Sequence, residues 1–177
     1  MGINLIEEPL NEESEGDTLS GLYLTFMLGE EYYGLPVTCV TEIIGMQVVT
    51  TIPDRPEYLR GVFNLRGKII PVLDVRLRFN KPVVEYNDRT CIIVLNLEDI
   101  AAGLIVDQVA EVVHLDATDI EPVPEGRGGY SNPFISGLGK VGQSVKMLID
   151  CYKILNKTET EPSASGITGK RLAPINQ

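Results

Sequence analysis

Two blocks of this sequence each occur twice, in the same order and without gaps. Residues 34–44 align with residues 103–113, and five of these eleven positions are identical. Residues 58–79 align with residues 134–155, with apolar residues at matching positions. A repeat of this kind predicts two similar structural units of about 70 residues each. Units of that size are marginally stable alone, so we expect them to share a hydrophobic seam.

In the second block, a glycine and an aspartate also recur at matching positions. Gly61 aligns with Gly137, and Asp74 aligns with Asp150. Each aspartate follows an apolar run and precedes a short one, which is typical of a residue that caps the N-terminus of a helix. Their place in the repeat predicts two equivalent helix caps and argues against a catalytic pair of carboxylates.

Short apolar runs separated by turn residues predict an all-β fold with many short strands. The predicted strands cover residues 23–28, 32–36, 60–65, 68–73, 91–97, 101–106 and 145–149, and residues 109–115 form a strand or a short helix. Val37, Val40, Ile43 and Ile44 recur at helical spacing, which predicts one or two helical turns there. A final helix is expected at residues 151–155.

The two ends of the chain differ in composition from the middle. Residues 1–18 contain six acidic residues and no basic one, which predicts a disordered acidic tail. Residues 156–177 are rich in Thr, Ser, Pro and Gly, which predicts a flexible C-terminal tail. The folded domain is therefore expected at residues 19–155. The net charge of −10 disfavours nucleic acid and anionic membranes as partners.

The sequence is poor in residues that carry chemistry. Its one histidine, His114, lies in an alternating apolar stretch typical of a structural or exposed position. Its three cysteines are far apart and form no C-x-x-C pair, which excludes common zinc and redox motifs and fits a reducing cytoplasm. No apolar run is long enough to cross a membrane. We therefore predict no enzyme activity, no metal and no cofactor.

Two glycine-rich segments resemble nucleotide-binding motifs, but their context differs. Residues 137–142 match G-x-G-x-x-G, yet a strand follows them where the motif needs a helix, which favours a hairpin. Residues 61–68 are one residue too long for a phosphate loop, and Ile69 stands where that loop needs Ser or Thr. Neither segment predicts a nucleotide site.

A cluster of basic residues spans the middle of the chain: Arg55, Arg60, Arg66, Lys68, Arg76 and Arg78. A solvated rim or a contact with an acidic protein partner would each account for this cluster. A nucleic-acid site would need a wider basic face and more aromatic residues. Glu42, within the apolar stripe near Val40, is expected to face solvent or a partner.

Several segments, in order, resemble the CheW family of chemotaxis adaptors. They are residues 26–34, 40–43, 52–53, 61–76, 103–109 and 135–140. The most specific string is N-L-R-G-x-I-I-P-V-x-D-x-R at residues 64–76. The resemblance extends over about residues 20–155.

The resemblance implies an all-β fold of two pseudo-symmetric five-stranded SH3-like barrels with short connecting helices. It implies a non-enzymatic scaffold that couples chemoreceptors (methyl-accepting chemotaxis proteins) to the histidine kinase CheA, whose regulatory module is a homologous double barrel. Such a protein would be cytoplasmic and recruited to membrane receptor arrays. It would not insert into the membrane itself.

The resemblance also implies that the helical hairpin tip of the receptor binds in a groove between the barrels. The expected groove residues are apolar Leu24, Val37, Val40, Cys91 and Val109, with polar Glu42, Arg66 and Thr90. An apolar seam with charged flanks suits a helix-in-groove contact. Arg66 would offer its guanidinium to a receptor carboxylate, and Cys91 would act as a small apolar residue. The resemblance assigns no individual kinase-binding residues.

Three other functions are consistent with parts of the sequence. A paralogous adaptor of another receptor–kinase pathway, such as one that controls surface motility, would have the same motifs. A small-barrel nucleic-acid binder would use the basic cluster, and its affinity would fall steeply with salt. A nucleotide-using enzyme would rest on the glycine motif alone and would be stabilised by ATP or NAD.

Overall fold

The computed structural model describes residues 18–124 and 132–156. Apart from Thr18 and Asn156, the predicted tails lie outside the described residues. In the described part, eleven strands and two short α-helices follow one another, with 3₁₀ turns at Val37–Cys39 and Ala117–Asp119. The strands are β1 Leu22–Leu28, β2 Glu31–Pro36, β3 Val40–Gly45, β4 Leu59–Leu65, β5 Lys68–Asp74, β6 Cys91–Leu97, β7 Ile100–Val106, β8 Gln108–His114, β9 Ile120–Glu121, β10 Ile135–Val141 and β11 Ser144–Ile149. The helices are α1 Val75–Arg78 and α2 Cys151–Leu155.

The strands form two sheets, which confirms the predicted all-β fold. Sheet 1 has the order β3-β6-β7-β5-β4, and sheet 2 has the order β8-β1-β2-β11-β10-β9. Sheet 2 has six strands where five were expected, because the two-residue strand β9 pairs with β10 at its edge. In sheet 1 the equivalent contact is a single bridge between Thr50 and Val62, so both sheets end in the same way.

The two sequence repeats do not form one sheet each. Sheet 1 contains β3, β4 and β5 of the first repeat with β6 and β7 of the second. Sheet 2 contains β1 and β2 of the first repeat with β8 to β11 of the second. The parallel pairs β5–β7 and β2–β11 join the repeats inside each sheet. Neither repeat can therefore complete a sheet without the other.

The predicted helix caps are confirmed at both aspartates. The Asp74 side chain accepts a hydrogen bond from the Leu77 N–H at 3.3 Å, and the Asp150 side chain accepts one from the Lys153 N–H at 3.1 Å. The backbone N–H of Asp74 donates to Tyr58 O, and that of Asp150 donates to Phe134 O, each at 2.8 Å. These matching contacts place the two helices at equivalent positions of the repeat.

The predicted helical turns after β2 are only partly present. Val37–Cys39 forms one 3₁₀ turn, but Val40–Gly45 is strand β3, paired with β6. The segment is rich in β-branched residues and its exposure alternates along the chain, so pairing with β6 outweighs the weak helical spacing. Residues 109–115, which are predicted to form a strand or a short helix, lie mostly in strand β8.

The largest hydrophobic cluster lies between the sheets, as the shared seam predicts. It contains Phe26 and Leu35 of sheet 2 together with Ile93 and Leu104 of sheet 1, all fully buried. A second cluster around Phe63, Val72 and Ile92 lies on the other face of sheet 1. Separating the two sheets would therefore expose apolar surface of both repeats at once.

Candidate functional site

The five apolar residues of the expected groove all belong to the seam between the sheets. Leu24 is a buried member of the seam cluster, and the half-buried Val37, Val40, Cys91 and Val109 pack against that cluster. The 3₁₀ turn that carries Val37 contacts β1 of sheet 2 and β6 of sheet 1. Val40 and Val109 occupy the same position of the sequence repeat. The structure therefore places these residues where the two repeats meet.

Cys91 and Val109 touch across the seam, and Cys91 is apolar in character. The Cys91 thiol contacts the backbone of Val109, and burial raises the pKa of the thiol more than this contact lowers it. The side chain therefore stays a neutral thiol, as expected for a small hydrophobic residue. It is one of three free cysteines in the described part of the chain.

Thr90 has a local structural role. It is only 7% exposed, and its Oγ1 accepts a hydrogen bond from the Asn87 N–H at 2.9 Å. Its own N–H donates to Asn87 O at 3.1 Å. These bonds close the turn that leads into β6 and hold Cys91 in place at the start of that strand.

Glu42 and Arg66 form a bidentate ion pair. Nη1 and Nη2 of Arg66 donate to the two carboxylate oxygens of Glu42 at 2.5 and 2.7 Å. Arg66 occupies the tight β4–β5 turn with a positive φ of 50°, and 73% of its side chain is exposed. The hydrogen bonds lower the pKa of Glu42 and raise that of Arg66. The Arg66 guanidinium, which is expected to bind a receptor carboxylate, therefore already binds the carboxylate of Glu42.

The ion pair lies on a different face of sheet 1 from the apolar groove residues. Glu42 pairs in register with Val94, which belongs to the second cluster, whereas Val40 packs on the seam. Glu42 and Arg66 line a cavity of about 260 Å³ with Leu65 and Val94. The structure thus does not gather all eight expected residues into one surface. The apolar seam lies on one side of strand β3, and the Glu42–Arg66 pair lies on the other.

The repeat shows that the fold does not require this ion pair. Glu111 takes the place of Glu42 in the second copy, but Gly142 takes the place of Arg66. Both turns keep a positive φ at this matching position, 50° at Arg66 and 58° at Gly142. The second sheet forms the same β-hairpin without an arginine in its turn, so Arg66 is available for a role outside folding.

A second bidentate ion pair lies next to sheet 1 and is linked to sheet 2 through a backbone hydrogen bond, and the sequence analysis missed it. Arg76, at the start of α1, donates from Nε and Nη2 to the carboxylate of Asp107 at 2.7 and 2.5 Å. Asp107 follows β7 and also accepts from the Gly29 N–H, in the β1–β2 turn, at 2.7 Å. The partners are 31 and 78 residues apart, and no local pattern in the sequence relates them. We call this group the Asp107 clamp.

The Asp107 clamp makes the stability of the protein depend on pH. Burial raises the pKa of Asp107, but the hydrogen bonds from Arg76 and Gly29 lower it by more, so the net shift is downward. A lowered pKa in the folded state stabilises the protein above the unfolded value and loses this effect as the pH falls through the folded value. We expect Arg76→Leu to lower the free energy of unfolding at pH 7 by about 1 kcal/mol. Urea unfolding should show this difference shrinking below about pH 4; a difference unchanged at pH 3 would contradict the assignment.

The basic cluster does not form one basic surface. Arg66 and Arg76 are ion-paired. Arg78 is only 7% exposed and lies between the rings of Tyr58 and Phe134. The Arg55–Arg78 cluster therefore lacks the wide basic face that binds nucleic acid.

The predicted hairpin at residues 137–142 is confirmed. Strand β10 pairs with β11 around Gly142, which has a φ of 58°.

The described residues 18–124 and 132–156 contain no group of three or more potential metal ligands. Among those residues, no helix is long and apolar enough to cross a membrane.

Comparisons with known proteins give a consistent result. The family model described as the CheW-like domain matches residues 22–159. A chemotaxis protein CheW from Klebsiella aerogenes is 38% identical over 144 residues, which cover 81% of this chain and 87% of that protein. The crystal structure of a scaffolding protein CheW from Thermoanaerobacter tengcongensis superposes with a TM-score of 0.71 at 35% identity, over 76% of this chain and 91% of that one. A more distant relative, protein FrzA from Myxococcus xanthus, is 29% identical over 59% of this chain and 65% of its own length.

Proposed function

The chain belongs to the CheW family of chemotaxis adaptors, and from this membership we propose that it couples two protein partners. One partner is the cytoplasmic hairpin tip of a chemoreceptor. The other is the histidine kinase CheA, bound through its regulatory double barrel. Each contact can be weak, because many copies held in one receptor array add through their effective concentration. Recruitment to the membrane would then occur through the receptors.

The proposal for the receptor site rests on the 3₁₀ turn Val37–Cys39, where residues of both repeats meet. Val37, Val40 and Val109 present half-buried apolar surface from two sheets along one seam. A seam of this kind suits the apolar face of a helix, with residues spaced along one side. Leu24 and Thr90 are nearly buried, so they support this surface from below.

The Glu42–Arg66 pair lies across the edge strand β3 from the seam, so it would select receptors by its charge from beside the groove and not from within it. The pair is held in a defined geometry by two hydrogen bonds, and most of the Arg66 side chain faces solvent. A receptor carboxylate that approaches Arg66 must share the guanidinium with Glu42 or displace it. Exposed charges of this kind affect association rate and partner choice more than affinity.

A charge in the seam should prevent receptor binding. Val37→Glu would place a carboxylate on the half-buried apolar surface, and we expect the affinity for a purified receptor hairpin fragment to fall by at least about tenfold. Thr38→Glu is the matched control, because Thr38 is the exposed neighbour in the same turn. Isothermal titration calorimetry with both variants is the measurement. Equal affinities of the two variants, with unfolding curves close to wild type, would contradict the seam as the receptor site.

The coupling role itself can be tested with three purified components. Receptor fragments reconstituted in vesicles should retain the kinase CheA only when this protein is added. Val37→Glu should abolish retention through the receptor contact and leave binding to the isolated kinase module unchanged. Retention of the kinase without the adaptor, or its failure in the presence of the wild-type adaptor, would contradict the proposal.

The alternative of a surface-motility pathway rests on the similarity to protein FrzA. That match covers less of the chain than the match to the Klebsiella protein. Co-purification from native lysate, followed by identification of the bound receptor and kinase, distinguishes the two pathways.

A further inference from the structure

Two of the cysteines lie side by side where the parallel strands β2 and β11 end. Leu148 pairs with Gly34 in parallel register, so both strands leave sheet 2 at the same edge. Strand β2 leads into the 3₁₀ turn Val37–Cys39, and β11 leads into α2, which begins at Cys151. Cys151 is a buried member of the seam cluster, and Cys39 packs against that cluster. The sheet register and the packing therefore bring the two residues together.

The two thiols are hydrogen-bonded neighbours that differ in exposure. Cys151 is only 3% exposed, whereas Cys39 is half-buried. Burial, together with the adjacent Cys39 thiol, raises the pKa of Cys151. Cys151 therefore stays protonated, and its S–H is the donor to the Cys39 sulfur. The pair thus combines one sulfur that a small oxidant can reach with a second sulfur buried directly beside it.

The sequence repeat shows that the fold requires a thiol at neither position. Gln108 takes the place of Cys39 in the other copy of its block, and Val75 takes the place of Cys151. Val75 is fully buried in the same seam cluster, so an aliphatic side chain fills the equivalent position. The contact between two thiols belongs to one half of the molecule, and packing alone does not require it.

We propose that Cys39 and Cys151 form a reversible disulfide bond when a peroxide oxidises the protein. The Cys39 sulfur attacks the peroxide, the O–O bond breaks, and Cys39 becomes a sulfenic acid while the other oxygen leaves with the thiol proton as water. The Cys151 sulfur then displaces the sulfenic oxygen, which leaves with the Cys151 proton as a second water. Two electrons pass from the sulfurs to the peroxide, and a thiol reductant reverses the change. Disulfides of this transient kind occur in reducing compartments as redox sensors.

The disulfide bond would act on the crossing between the two sheets. The 3₁₀ turn Val37–Cys39 leads from β2 in sheet 2 to β3 in sheet 1. Bonded sulfurs lie about 2 Å apart, closer than any non-bonded contact, so the turn must move toward α2. Val37 and Val40 move with it, and we expect the oxidised protein to bind the receptor fragment at least about threefold more weakly. This effect rests on the proposed receptor site, whereas the bond itself does not.

The bond is tested on the full-length protein treated with hydrogen peroxide. Proteolysis and mass spectrometry should find Cys39 linked to Cys151, with the loss of two hydrogen atoms, and dithiothreitol should remove the link. The link joins residues more than one hundred positions apart, so it should raise the thermal midpoint by at least about 5 °C. Wild-type protein that keeps both thiols, or that oxidises Cys39 without a link to Cys151, would overturn the proposal.

Two variants show whether the link is specific. Cys151→Val carries the residue that the repeat has at this position, and its midpoint should not respond to peroxide. Cys91→Ala is the matched control, because Cys91 pairs with Gly45 at the end of β3 that is far from Cys39, and it should form the link as the wild type does. An equal rise of the midpoint in Cys151→Val, or a link that contains Cys91, would contradict the assignment.

Calorimetry with the receptor fragment tests the effect on binding. Equal affinities of the reduced and the linked protein, with Val37→Glu still preventing binding, would overturn the redox effect and leave the receptor site intact. If Val37→Glu also binds like the wild type, the receptor site itself is contradicted, and the effect of oxidation on binding fails with it. The failure of the further inference is therefore distinguishable from the failure of the proposed function.

Discussion

Gly61→Ala is expected to destabilise the protein by about 3 kcal/mol or more. Gly61 has a φ of 146°, a conformation that L-residues rarely adopt. A Cβ at this position would lie 2.1 Å from Thr50 O and 2.8 Å from Thr50 C. The Thr50 and Val62 backbones are hydrogen-bonded to each other at 2.8 and 2.9 Å, so Thr50 cannot move away without breaking the edge of sheet 1. Urea unfolding followed by circular dichroism measures the loss.

Two other glycines, Gly137 in the second repeat and Gly45 in the edge strand β3, serve as controls with smaller expected losses of stability. Gly137 matches Gly61, but a Cβ there would lie 3.2 Å from Glu121 O, so Gly137→Ala should cost less. Gly45, in β3, has nothing within 4 Å of a Cβ, and Gly45→Ala should be close to neutral. If Gly61→Ala does not fold at all, the order of the other two variants still tests the argument. Equal effects at all three positions would refute it.

Arg78→Met is expected to destabilise the protein by about 3 kcal/mol. The Arg78 guanidinium carbon lies 4.1 Å from the ring centroid of Tyr58 and 4.6 Å from that of Phe134. Its Nε donates to Ile154 O and its Nη2 to Asn156 O, each at 3.1 Å. Methionine fills the space but leaves both carbonyl oxygens without these donors and removes the cation–π contacts.

Arg78 joins the two repeats through positions that the repeat itself relates. Tyr58 aligns with Phe134, and Arg78 aligns with Ile154, whose carbonyl it binds. Arg78→Lys should not restore stability, because an ammonium group lacks the planar fork that serves both carbonyls. Arg89→Met, at an exposed position, is the control and should change stability by less than about 0.5 kcal/mol. A wild-type midpoint for Arg78→Met in thermal unfolding would contradict this account.

Much of the fold follows from local patterns in the sequence. Strand β6 is predicted to the residue, because Cys91–Leu97 is apolar at every position except Asn96 and is followed by the turn residues Glu98 and Asp99. The two helix caps follow from the repeat, since one aspartate alone would have been ambiguous. The prediction of helical turns is wrong over strand β3, because four apolar residues in a short segment fit both the helical and the strand period.

The exchange of strands between the repeats could not be predicted from the sequence. Equivalent strands have similar apolar patterns, so the alignment does not say whether β5 pairs with β7 or with a strand of its own repeat. The same holds for the charged groups of the candidate site. Glu42–Arg66 and the Asp107 clamp join residues 24 to 78 positions apart, and their pairing depends on the sheet order. The family resemblance supplied Glu42 and Arg66 as groove residues, but it did not show that they bind each other.

The central claim is that a receptor helix binds along the seam between the sheets. Its most direct test is a titration of the ¹⁵N-labelled protein with a receptor hairpin fragment, followed by backbone amide shifts. We predict shifts concentrated at Val37–Val40, Cys91 and Val109, with smaller ones at Glu42 and Arg66. Shifts confined to the far edges of the sheets, at β4 or β9, would place the receptor elsewhere and contradict the claim. An absence of shifts even with the kinase module present would contradict receptor binding itself.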